Sequence, residues 1–172
     1  LNLKKVNLYQ YNTKMKKTII LLLIGVLITS CKILSSSDKT FQVISKTQNY
    51  NESISFEIDK IVEGKSIAIG GGSIHPNRGN KLVFVFLTLK NNTNKKQELS
   101  FDNFNLLNKK TKTKHKVEWA MKTILINTAG KIDTYLKKNE KMKRKLVFIF
   151  PENDRGKFLM VNNEMIEIEY SK

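Results

Sequence analysis

Two runs constrain the fold more than anything else in the chain. Residues 81–90 read KLVFVFLTLK and residues 145–151 read KLVFIFP. In an extended chain successive side chains point to opposite faces. Leu82, Phe84 and Phe86 therefore share one face, and Val83, Val85, Leu87 and Leu89 the other. Both faces are apolar, so the first run should be a central strand covered on both sides, or at least on most of one. Its β-branched and aromatic content disfavours a helix. The second run has the same character, and Pro151, which lacks an N–H for the ladder, stops it.

The remaining elements follow the same period. Ile54, Phe56 and Ile58 alternate with Ser55, Glu57 and Asp59, the pattern of a half-buried strand. Asn91, Asn92 and Asn94 mark a turn, because asparagine tolerates positive φ. Shorter strands are predicted over 97–101, 104–108, 114–120, part of 122–126 and 132–135. A hairpin over 158–161 and 165–170 turns at Asn162 and Asn163, with Ile166, Ile168 and Tyr170 facing in and Glu167 and Glu169 out. With no amphipathic helix and no repeat, the expectation is an all-β sandwich over 41–172.

The amino-terminal part reads differently. Lys16 and Lys17 precede an uncharged apolar run over 19–28. That run is shorter than the roughly 20 residues a spanning helix needs, and it has the length of a signal-peptide core. Ile28, Thr29, Ser30 and Cys31 then resemble the lipobox of bacterial lipoproteins. The resemblance implies a diacylglycerol on the Cys31 thiol and cleavage before it, giving a signal peptide over 1–30. Residues 1–14 precede an ordinary signal start at Met15 and are expected to be an over-called start or a lengthened basic region. Residues 31–40 would be the lipidated cysteine and a short tether containing three consecutive serines. Such an anchor implies a chain held at a cell membrane or outer membrane on its extracytoplasmic side.

The folded part carries a second resemblance. The block KLVFVFLTLKNNTNKKQELSFDNFNLLNKKTKTKH and the block LKKNEKMKRKLVFIFP are similar to the immunoglobulin-like (telokin-like) extracellular domain of unknown function found in many bacterial lipoproteins and secreted proteins. Leu136, Glu140, Leu146, Val147, Phe148 and Pro151 match that family's turn-and-strand motif. Lys138 replaces its usual proline, and Asn139 its usual glycine in a left-handed turn. The resemblance implies an immunoglobulin-like sandwich and an extracytoplasmic location, and no chemistry.

Composition narrows the function. One cysteine excludes an intramolecular disulfide and any cysteine-rich zinc site. His75 and His115 have no acid or thiol at metal-ligand spacing, so no metal, cofactor or catalytic residue is assigned and the chain reads as a non-enzyme. Asp59 and Glu63, like Glu167 and Glu169, read as solvated strand residues, and Trp119 as core. The glycine-rich stretch over 70–79 lacks both the glycine-lysine-serine/threonine ending of a phosphate loop and the helix that such an ending opens. It reads as a mobile connection and the first candidate for a contact loop.

Charge is the loudest feature. The chain has 31 basic and 15 acidic residues and a formal charge of +16. Lys110, Lys112, Lys114 and Lys116 alternate along one predicted strand, and Lys141, Lys143 and Lys145 along another. Together they are the candidate polyanion contact, for anionic lipid, acidic glycan or another envelope protein. With only three arginines, nucleic acid is disfavoured. The competing explanations for the lysines are protection of a sheet edge and AT-rich codon usage. The expected function is a lipid-anchored, non-enzymatic binding module. The alternative is a structural or stress-related envelope protein that adheres electrostatically without a discrete ligand.

Overall fold

The alternation beginning at Ile54 becomes, in the computed structural model, a succession of antiparallel strands. The structure describes residues 38–69, 71–108, 111–122, 129–130 and 132–171. The expected signal peptide, the lipobox, most of the tether and the strand expected within 122–126 therefore lie essentially outside the described residues. In chain order the strands are β1 (Lys39–Gln42), β2 (Gln48–Asn49), β3 (Ile54–Gly64), β4 (Ile67–Ile69), β5 (Gly72–Ile74), β6 (Asn80–Asn91), β7 (Gln97–Ser100), β8 (Phe104–Leu107), β9 (Lys114–Lys116), β10 (Trp119–Lys122), β11 (Ala129–Gly130), β12 (Asp133–Leu136), β13 (Lys141–Pro151), β14 (Phe158–Val161) and β15 (Glu164–Glu167). One turn of 3-10 helix, Phe101–Asn103, joins β7 to β8.

The main sheet runs β1-β3-β6-β13-β10-β11, with β2 also on β3. A second sheet, β15-β14-β8-β9, faces it, and β7 pairs separately with β12. The two apolar-faced runs are the adjacent central strands β6 and β13, paired from Lys141↔Lys90 to Pro151↔Asn80. Their inner residues, Val83, Val85, Leu87, Leu89, Leu146, Phe148 and Phe150, meet Phe104, Leu106, Leu159 and Val161 of the second sheet in one core. This is the all-β sandwich that the alternation predicts.

The opposite face of the main sheet is covered too. Val62, Leu82, Phe84, Met121 and Val147 form a smaller cluster closed by Ile67, with Ile69 and Ile74 against it. The last three belong to the β4–β5 hairpin. The glycine-rich stretch read as a mobile connection thus supplies a strand of a hairpin whose isoleucines roof the second apolar face. Phe86, on the same face as Leu82 and Phe84, is only partly buried against this cluster.

β3 contributes to both faces because its register against β6 shifts between Ile58 and Lys60. Ile54, Phe56 and Ile58 point into the main core, and beyond the bulge so does Ile61, while Val62 joins the outer cluster. The extra residue of a bulge inverts the facing of everything after it. Glu63 is therefore not the solvated outward acid that strict alternation predicts. It pairs with Lys81 at 2.8 Å, with both side chains 12% exposed.

The turns follow local chemistry. Asn162 and Asn163 both have positive φ, 49° and 70°, as a two-residue hairpin loop requires. Asn139 also takes the left-handed conformation, with φ 54°, as expected of a residue standing where glycine is usual. The Asn91 turn works differently: no residue from Asn91 to Asn94 has positive φ. Instead the buried Asn91 Oδ1 accepts from Thr93 N at 2.9 Å, and its Nδ2 donates to Lys95 O at 2.7 Å and Lys137 O at 2.9 Å.

Gly156, between β13 and β14, is buried where a Cβ would stand 2.9 Å or less from Cγ, Cδ1 and Cδ2 of Leu106. Leu106 is fully buried, so it cannot swing away. Gly156→Ala is expected to destabilise the domain by about 1–3 kcal/mol, the usual range for an overpacked site. Urea unfolding checks this, and an unchanged midpoint would show that the second sheet yields at this point.

Candidate functional site

The structure does not assemble the predicted lysines into one patch. Lys110 lies outside the described residues. Lys112 is exposed in a turn with φ 53°, not on a strand. The turn is tied by Thr111 N donating to Asn108 Oδ1 at 3.0 Å and Asn108 N to Thr113 O at 3.0 Å. Only Lys114 and Lys116 form an outward pair on a strand, β9, which is the edge of the second sheet.

Lys141, Lys143 and Lys145 lie on β13, on the outer face of the main sheet. His115 of β9 packs on Phe150, ring centroids 4.6 Å apart. Phe150 is nine positions from Lys141 on β13, about 30 Å at 3.3 Å per residue. The two lysine groups thus occupy different sheets and different ends of the sandwich.

The β13 lysines are not equivalent. Lys141 and Lys143 are exposed, whereas Lys145 is buried at 9%. Its ammonium sits 5.4 Å from the centre of the Phe84 ring. Burial lowers the Lys145 pKa from its ordinary value. Arg144, on the opposite face of the strand, is likewise lowered by burial, partly countered by the charge of Glu140.

Pairing brings in a lysine that the run-by-run reading missed. Lys90 of β6 stands directly opposite Lys141, and Ser55 of β3 directly opposite Lys90. One step along, Glu57, Thr88 and Lys143 make a second row across the same three strands. All of these but Lys143 line a cavity of about 320 Å³, together with Asn92 and others. Lys90 is isolated in the sequence, and only the strand register could have added it to the group.

A larger groove of about 510 Å³ opens beside the β7–β12 ribbon. Its lining includes Tyr50, Glu98, Asp133 and Tyr135, so its charged side chains are acidic. Tyr135 is 48% exposed and carries the Lys96 ammonium 3.9 Å from its ring centre.

Other singled-out residues are structural in their settings. Trp119 is partly buried against the outer apolar cluster. His75 is exposed beyond β5. Tyr170, bridged to Val43, donates its hydroxyl to Gly156 O. Its pKa is raised by burial and by the Glu63 charge, against a smaller opposing effect of Arg155. Among the described residues no group of three or more His, Cys, Asp or Glu side chains could hold a metal ion, and no helix is long and apolar enough to cross a membrane.

Comparison with known proteins gives a consistent fold and no chemistry. A conserved hypothetical protein from Bacillus anthracis superposes with a TM-score of 0.57 at 18% identity, over 80% of this chain and 99% of its own. An uncharacterized β-sandwich protein from Clostridium difficile 630 superposes with a TM-score of 0.50 at 10% identity, over 76% of this chain and 92% of its own. At these identities the likeness is one of fold. No curated protein matches the chain. Residues 46–169 match a family described as a domain of unknown function, DUF4352.

Proposed function

The chain belongs to the DUF4352 family, and from that premise we propose that it is a lipid-anchored envelope protein whose sandwich is a non-enzymatic binding module. The observation that carries the anchor is the coincidence, within residues 15–31, of two lysines, an apolar run of signal-peptide length, and small residues before the single cysteine of the chain. Seven residues, 32–38, separate Cys31 from β1. Fully extended they reach about 25 Å, so the domain works close to the bilayer surface. Two acyl chains on one residue give the stable attachment that a single chain does not. The immunoglobulin-like, telokin-like subtype and the extracytoplasmic location belong to the same reading. The binding role is supported by exposed, unlike-charged cavities on a fold whose family and neighbours give no indication of catalysis.

Intact mass of protein extracted from its native membrane tests the anchor. The expected species begins at Cys31 and carries a diacylglycerol increment, and Cys31→Ser is expected to lack the increment and remain uncleaved. A chain starting elsewhere, or a wild-type Cys31 without lipid, would refute it. Electrostatic adhesion without a discrete ligand is the second reading, favoured by the spread of exposed lysines over both sheets. It requires binding to anionic surfaces to fade uniformly as salt rises.

A further inference from the structure

We propose that the cavity between Lys90 and Lys141 binds a phosphoryl group, held by the two ammonium groups and the Ser55 hydroxyl. The inference deepens the reading of the domain as a binding module, and it is independent of the lipid anchor.

The first observation is the pairing itself. Lys90 and Lys141 are direct cross-strand partners on the two central strands. Side chains so placed have Cβ atoms about 5 Å apart, and like charges there oppose each other. Lys143 adds a third cation one step along the same face. Among the described residues none of these three forms an ion pair with an acid. The carboxylates of this face are held by hydroxyls of cavity-lining threonines, not by these lysines. Asp59 accepts the Thr88 hydroxyl at 3.0 and 2.9 Å, and Glu57 accepts the Thr47 hydroxyl at 2.8 Å. Among the described lining residues Glu57 is the acid, and Lys90 and Lys141 outnumber it.

The second observation is a buried donor. Ser55 is 6% exposed, and its Oγ accepts from Asn92 Nδ2 at 3.0 Å. The hydroxyl keeps its own proton to give, at the floor of the cavity and opposite Lys90. Asn92 keeps its second amide N–H in the same place. Two point-charge ammonium groups, a hydroxyl and an amide thus line one cavity. That arrangement suits a tetrahedral group with several acceptor oxygens better than a planar carboxylate, which arginine's fork would match. The volume of about 320 Å³ is at the small end for ligand sites, enough for a phosphoryl group and the unit it is attached to.

The phosphoryl group can come from free phosphate or from a phospholipid headgroup, and one experiment separates them. The full chain, purified in a nonionic detergent, is titrated with inorganic phosphate by calorimetry. The titration is repeated with micelles doped with phosphatidylglycerol or, as a neutral control, phosphatidylcholine. Lys90→Gln with Lys141→Gln is expected to weaken phosphate binding by about tenfold or more, the scale set by losing two charge-assisted contacts. Ser55→Ala is expected to weaken it several-fold. Lys114→Gln with Lys116→Gln removes the same charge from β9 and is expected to leave it unchanged. Competition by phosphatidylglycerol alone identifies a headgroup in the same site, and saturable phosphate binding without competition identifies the free anion. Both outcomes support the site. Equal loss in the β9 variant, or no saturable binding of either probe, overturns it. The anchor is judged separately, by mass at Cys31, so either reading can fail while the other stands.

Discussion

Phe148→Ala is expected to lower the stability of the domain by about 3–5 kcal/mol, the range for deleting a fully buried aromatic ring. Phe148 is 0% exposed, sits on β13 between β6 and β10, and belongs to the main core. It stands directly opposite Val83 of β6, so neither strand can close the cavity without losing ladder bonds. Urea unfolding followed by fluorescence measures the loss, with the denaturant slope unchanged if only stability has moved. Met165→Ala, at a position 59% exposed, is the control and is expected to change stability by less than about 0.5 kcal/mol. A loss below about 1 kcal/mol at Phe148 would mean that the facing sheet does not bear on this strand.

Asn91→Ala should rank second, at about 2–4 kcal/mol. The Asn91 amide is fully buried at the end of β6 and satisfies carbonyls of Lys95, Leu136 and Lys137, from two separate turns. Removing it deletes the bonds to Lys95 O and Lys137 O and the one from Thr93 N, each contributing about 0.5–1.5 kcal/mol, and leaves the two carbonyls only the Thr93 hydroxyl at 3.2 Å and Glu140 N at 3.1 Å. Asn91→Asp separates shape from chemistry. It keeps the acceptor for Thr93 but turns an oxygen toward the three carbonyls, and it should be at least as damaging as alanine. If Asn91→Asp unfolds at the wild-type midpoint, the amide does not hold these turns together.

Legibility in the sequence followed the reach of the interactions. β6 and β13 could be read directly, because a strand apolar on both faces has one kind of place to go. The 158–167 hairpin was legible from its two asparagines, whose local conformational freedom does not depend on the rest of the fold. The facing of Glu63 was not legible, since a bulge is one unpaired residue and leaves no mark in the alternation before it. Nor was the role of the glycine-rich stretch, whose strand turns to account for an apolar surface contributed by β3, β6, β10 and β13. Of the candidate site, Lys141 and Lys143 could be proposed from their spacing. Lys90 could not, because it joins them only through the register of two strands fifty residues apart. Lys145 shares their spacing yet is buried, since its neighbours on that face are Phe84 and the outer cluster.

The way β1 is held has a mechanical consequence. Lys39 to Gln42 pair with Glu63 to Lys60, and the following residues are tied to the end of the chain by Ile44 N to Glu169 O, Ser171 N to Gln42 O and the Val43↔Tyr170 bridge. Arg155 lies over Phe41, 4.4 Å from the ring centre, and clamps the same strand from the side. A force applied at Lys39 along the strand axis would load β1 first. The bonds of β1 to β3 and those of Gln42 to Ile44 to the chain end would then bear the load together, in shear, and not peel one after another. Pulled through this strand, the domain would resist being drawn open, and the first element to slip would be β1 with its carboxy-terminal neighbour, leaving β6 and β13 paired.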